Sequence, residues 1–114
     1  MSQITHEIRH GLTLEQAKRA AHRALDEYIA RYKTRGFTAS WATDTRAELK
    51  FAAKGLEVDA VVDVLDDVLR VEANVPLVLR PLKSIAIATA EREAQRWITK
   101  AKAETAAEPA ADGG

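Results

Sequence analysis

Between Phe37 and Val75 apolar and polar residues alternate with a period of two, and every turn in that stretch keeps the apolar residues on one side. Period two sends successive side chains to opposite faces of a strand, whereas a helix would need apolar residues every three or four positions. Four strands fit. Phe37, Ala39 and Trp41 alternate with Thr38 and Ser40, and Ala47, Leu49, Phe51 and Ala53 alternate with Arg46, Glu48 and Lys50. Leu56, Val58, Ala60, Val62 and Val64 then alternate with Glu57, Asp59 and Asp63, and Leu69, Val71, Ala73 and Val75 alternate with Arg70, Glu72 and Asn74.

Register supplies an independent test, because a slip of one residue exchanges the buried and exposed sets. With Lys54-Gly55 as a two-residue loop, Phe51 meets Val58, Leu49 meets Ala60 and Ala47 meets Val62, while Lys50 meets Asp59 and Arg46 meets Asp63 on the other face. With Asp66-Asp67 as the next turn, Val64 meets Leu69, Val62 meets Val71 and Ala60 meets Ala73, and Asp63 lies between Arg46 and Arg70. A three-residue loop at Thr43, Asp44 and Thr45 sets Trp41 opposite Ala47 and Phe37 opposite Phe51. All three loops agree on one antiparallel meander. Residues 3–10 carry Ile4, His6, Ile8 and His10 on one side and predict a further edge strand.

Helices flank this sheet. Thr13 followed by Gln16 is a capping-box pattern, and Leu14, Ala17, Ala21, Ala24, Leu25, Tyr28 and Tyr32 recur at helical spacing up to a glycine stop at Gly36. The alanines of that stripe predict a close approach between helix and sheet. Pro76 and Pro81 mark VPLVLRPLK as a connector, after which Ser84 is a suitable N-cap for a helix with Ile87, Ala90, Ala94, Trp97, Ile98 and Ala101 on one stripe. The expected architecture is α+β: a four- to five-stranded antiparallel meander with two helices on one face, a two-layer sandwich. A single domain is expected over residues 1–104, with residues 105–114 a disordered tail.

Composition narrows the function classes. A chain of 114 residues, 46% hydrophobic and 30% charged, falls in the globular range and can bury roughly two thirds of its unfolded surface. Seventeen basic residues balance seventeen acidic ones, which argues against a nucleic-acid partner. With no cysteine, disulfides, thiolate catalysis and cysteine-held zinc are excluded. No secretory leader and no run of about 18 apolar residues is visible, so a cytoplasmic protein without a transmembrane segment is expected.

Candidate chemistry is sparse. His6, His10 and His22 have no metal-ligand spacing, and two positions four apart on a strand lie about 13 Å from each other, too far for one ion. Asp59, Asp63, Asp66 and Asp67 offer hard oxygen ligands, but cross-strand cations and a turn account for them. No phosphate loop, nucleophile elbow or paired-carboxylate motif is present, so no catalytic residue, metal or cofactor is assigned and an enzyme is the least favoured class. Phe37, Trp41, Phe51 and Trp97 either fill the core or line a small apolar pocket between sheet and helices. Leu77, Val78, Leu79 and Leu82, flanked by Arg80 and Lys83, either cap the core or form a surface that dips into an apolar phase while its cations meet anionic groups.

The His10-Gly11-Leu12 entry into the first helix, the meander, and the VPLVLRPLKSIAIATAEREAQRWI exit together resemble the polyhydroxyalkanoic acid system proteins, the granule-region family, over residues 3–102. That resemblance implies a small bacterial protein of polyhydroxyalkanoate metabolism, without catalytic residues to carry over, that associates with storage granules or granule proteins. Three readings follow: a non-enzymatic accessory protein at the granule, a carrier of a small apolar, acyl-like ligand, and a homodimeric interaction module joined through a strand edge or the second helix.

Overall fold

The computed structural model describes residues 2–53 and 55–107. The chain runs through β1 (Ser2–Arg9), α1 (Leu14–Tyr32), a 3₁₀ turn (Lys33–Arg35), β2 (Thr38–Thr43), β3 (Arg46–Ala53), β4 (Leu56–Val64) and β5 (Val68–Val75). A second 3₁₀ helix (Leu77–Leu82) then leads into α2 (Lys83–Ala107). The strands form one sheet in the order β1-β5-β4-β3-β2, antiparallel throughout.

The registers expected across β3–β4 and β4–β5 are present. Phe51 pairs with Val58, Leu49 with Ala60 and Ala47 with Val62; Val64 pairs with Leu69 and Val62 with Val71. On the outer face Arg46 reaches the Asp63 carboxylate at 3.3 Å. Arg70 stands opposite Asp63 in register but turns its Nε to Glu7 at 2.9 Å, because β1 brings a second carboxylate to its other side. The β2–β3 connection differs from the three-residue loop: Thr43 pairs with Arg46, and an irregularity between Trp41 and Thr43 absorbs the extra residue. Phe37 precedes β2, its backbone N–H donating to the Tyr32 carbonyl as the chain leaves α1. The meander's edge strand is therefore β2, and β1 closes the other side on β5.

Local signals explain both ends of α1. Thr13 Oγ1 accepts from the Gln16 backbone at 3.1 Å and Gln16 Oε1 accepts from the Thr13 backbone at 3.0 Å, a reciprocal cap that satisfies two otherwise orphaned donors. The helix tightens into the 3₁₀ turn and stops at Gly36, whose φ of 83° is cheap only without a Cβ.

The second helix begins differently from expectation. Pro76 starts the 3₁₀ helix, and the chain enters α2 at Lys83 without the separate cap expected at Ser84. Pro76 is the N-cap of this helix and Pro81 lies inside it, so the two prolines belong to a tight helical lead-in instead of an open connector. At its other end α2 extends to Ala107, past the expected boundary at 104; the rest of the expected tail, 108–114, lies outside the described residues.

Both helices cover the same face of the sheet and tie to each other. Trp97 Nε1–H donates to the Tyr28 hydroxyl at 2.9 Å, that hydroxyl donates to Glu93, and Arg96 reaches Glu27 at 3.3 Å. Beneath them lie two clusters of buried side chains. Ile4, Val58, Val75 and Leu79 form one; Leu25, Ala47, Leu49 and Ala60 form the other, and Phe51 and Ala73 pack against both while remaining partly buried.

Candidate functional site

A space of about 600 Å³ lies between the sheet and the two helices. Its origin is the small size of the helical residues that face the sheet: Ala17, Ala20, Ala21 and Ala24 from α1, and Ala86, Ala90 and Ala94 from α2. Helix α1 approaches the sheet closely where Ala17, Ala24 and Leu25 are buried, as the alanine stripe predicts, and elsewhere along the two helices these small residues leave a gap. The aromatic and charged ties between α1 and α2 hold the helices to each other and do not draw them downward. Strand residues such as Ile4, Val58 and Val71 form the floor, so the walls are almost wholly hydrocarbon.

Of the four aromatic residues assigned to a pocket, Phe37, Phe51 and Trp97 line this space. Trp41 does not line it. Near the end of edge strand β2 its indole stacks on the His22 ring at 3.6 Å and 7°, and His22 Nε2 meets the Asp44 carbonyl at 3.0 Å, so this pair fastens α1 to the β2–β3 turn.

Few polar side chains reach the space, and most are already engaged. His10 is 1% exposed: its Nδ1 accepts the Leu12 N–H at 3.0 Å, which leaves Nε2–H to donate to the Leu65 carbonyl at 2.9 Å. The geometry therefore fixes one neutral tautomer, with the imidazole tying the end of β1 to the β4–β5 turn. His6 Nε2 pairs with Glu91 Oε1 at 2.9 Å, joining β1 to α2; that bond, with a second from Gln95, holds the Glu91 carboxyl below its usual range. Burial, reinforced by donation to Glu93, pushes the Tyr28 hydroxyl up to about 12. Two lining side chains, Lys83 at the start of α2 and Thr89 further along it, have no hydrogen bond or ion pair among the described residues, and of the two only Lys83 carries a charge.

The second candidate is the lead-in to α2. The structure divides the six residues singled out there. Leu79 is buried at 6% and Leu82 packs with it against Ile4, Val58 and Val75, so these two cap the core and are not surface contacts. Leu77 and Val78 point outward, 61% and 70% exposed, beside the exposed Arg80 and Lys83. Ile85, which the sequence reading missed, joins them at 64%. It stands at the rim of the space between the layers, which Ile87 also lines, and its position off the Ile87 stripe of α2 was the available signal.

Among the described residues no group of three or more His, Asp or Glu is placed to hold a metal ion, and no helix is long and apolar enough to cross a membrane. Comparison with protein families finds one whose sequence model matches residues 4–98, described as Putative polyhydroxyalkanoic acid system protein. Searches of curated proteins and of solved structures each return no match.

Proposed function

The chain belongs to the polyhydroxyalkanoic acid system family, and on that premise we propose that it is a non-enzymatic accessory protein of polyhydroxyalkanoate metabolism that contacts the granule surface through the lead-in to α2. One observation carries the reading. Of the four large hydrophobic side chains exposed on the described surface, Leu77, Val78 and Ile85 fall within nine residues; the fourth, Leu56, is only 36% exposed, beside the β3–β4 turn.

Scattered exposed apolar residues are ordinary, but three on one short rigid segment favour an apolar phase. Covering a leucine, valine or isoleucine contributes about 1.5–3 kcal/mol, an upper value because each is already partly covered. Arg80 and Lys83 on the same segment supply cations for the anionic rim of a granule coat, as in other protein segments that lie on interfaces. Leu79 and Leu82 anchor the segment from below, so the exposed side chains are presented on a fixed base.

Fractionation of granule-filled cells tests the reading. Wild-type protein is expected with the granules, and the pair Leu77→Asp and Val78→Asp is expected in the soluble fraction with an unchanged circular dichroism spectrum. Leu79 is left alone because its burial would confound contact with unfolding. A folded double variant that stays with the granules as fully as the wild type would refute the assignment.

A further inference from the structure

We propose that the space between the layers is a binding site for a single aliphatic chain ending in one carboxylate, with the chain between the alanine faces of α1 and α2 and the carboxylate at Lys83. The proposal shares Lys83 with the granule contact but rests on the space between the layers and not on Leu77 and Val78, which do not line it.

Size is the first argument. Interiors are packed nearly as densely as organic crystals, and the voids they retain are seldom larger than a water molecule. A space of about 600 Å³, open to solvent along part of its rim, is a cleft and not such a void, and its volume is within the range of ligand sites. The division of the core is the second argument. A domain of this size ordinarily has one contiguous buried cluster, yet among the described residues two are joined through Phe51 and Ala73, neither of them fully buried. A guest lying along Ala73 would touch both clusters and complete the layer that the alanines leave open.

The walls then select the guest. Ordered water needs two to four polar partners, and a sugar or nucleotide needs more. His10 has both ring nitrogens engaged, His6 is held by Glu91, and the Tyr28 hydroxyl is shared between Glu93 and Trp97. Glu93 also receives Arg96 at 3.2 Å. What remains open among the described residues is hydrocarbon, the Thr89 hydroxyl and one ammonium group, so a single charged head finds one cation. Hydrocarbon walls suit methylenes, and the Lys83 charge, where the lead-in meets α2, suits an anionic head at that end. A cationic amphiphile would meet like charge there. The volume corresponds to at most roughly 20 water-sized groups, so chains of intermediate length fit and long-chain lipids with two tails do not.

Calorimetric titration with octanoate, decanoate and dodecanoate, each below its micelle concentration, tests the proposal. Saturable one-to-one binding is expected, tightening about three- to fourfold for each added methylene until the space is filled. Dodecyltrimethylammonium is expected to bind far more weakly. Lys83→Ala should weaken decanoate about fivefold while leaving decanol unchanged, because only the head group is affected. Ala90→Leu, which places a larger side chain in the space, should weaken dodecanoate at least tenfold in a protein that remains folded. The Leu77→Asp, Val78→Asp pair should bind decanoate as the wild type does, which separates this site from the granule contact; loss of binding in that pair would move the ligand to the surface turn and overturn the cavity assignment. So would absence of saturable binding by all three carboxylates, equal affinity for the cationic amphiphile, or unchanged dodecanoate binding by folded Ala90→Leu.

Discussion

Replacing an alanine by leucine inside a domain usually destabilises it, and at Ala90 the structure predicts the reverse. Ala90 lies on α2 with its methyl toward the space between the layers. Leucine is nearly as good a helix former as alanine, so the backbone term is small. Its three extra carbons can enter unoccupied volume, gaining about 0.8 kcal/mol each for leaving water, or about 2.4 kcal/mol at most. Immobilising the side chain costs roughly 0.5–1 kcal/mol, leaving a net stabilisation of about 1–2 kcal/mol. In a domain of this size that is a rise of about 4–8 °C or somewhat more in Tm. Ala47 is the matched control: it is 0% exposed among Leu25, Leu49 and Ala60 and does not line the space, so leucine there should overpack and destabilise by about 1–3 kcal/mol. Scanning calorimetry and urea unfolding of both variants give the comparison. If Ala90→Leu destabilises the protein as much as Ala47→Leu, the layers are closed in solution and the reasoning about the space fails.

His10→Leu should destabilise by about 2–4 kcal/mol in urea unfolding, because it orphans the Leu12 N–H and the Leu65 carbonyl together; a loss below about 1 kcal/mol would show that water replaces both bonds. Thr13→Ala removes one half of the capping box and should cost about 1 kcal/mol by the same assay, with Thr13→Ser close to neutral. Tyr28 ionises at about 12 in the folded chain against 10.0 for the free side chain, so the unfolded state loses its proton first and stability should decline as pH rises from about 10 toward 12. Tyr28→Phe should flatten that decline; equal slopes for the two proteins would show that the hydroxyl is not held as described.

The sheet was legible because each strand carries two independent signals. Val58 and Val62 mark the inner face, and Arg46 and Asp63 fix the same register from outside, so a slipped alignment would fail twice. The strand at residues 2–9 was legible through Ile4 and Ile8, whose burial on β5 follows from alternation alone. The interior was harder to read. A stripe of alanines is equally compatible with a helix pressed against a sheet and with one standing off it, and only the positions of Trp97, Tyr28 and Glu93, distant in sequence, decide between them. Trp41 illustrates the same limit: its alternation is correct for an inward residue, but an inward residue near the end of an edge strand meets His22 rather than the central space. The lead-in to α2 was read as a unit although helical geometry separates it, turning Leu79 and Leu82 down and Leu77 and Val78 out.

The most direct test of the central claim is a binding isotherm of the purified protein on washed polyhydroxyalkanoate granules, recorded at low and high salt for the wild type, the Leu77→Asp, Val78→Asp pair and Ile85→Asp. Apolar insertion aided by Arg80 and Lys83 predicts wild-type binding that weakens only in part as salt rises, and binding lost in the double variant and reduced in Ile85→Asp. Superimposable isotherms for all three proteins would contradict it.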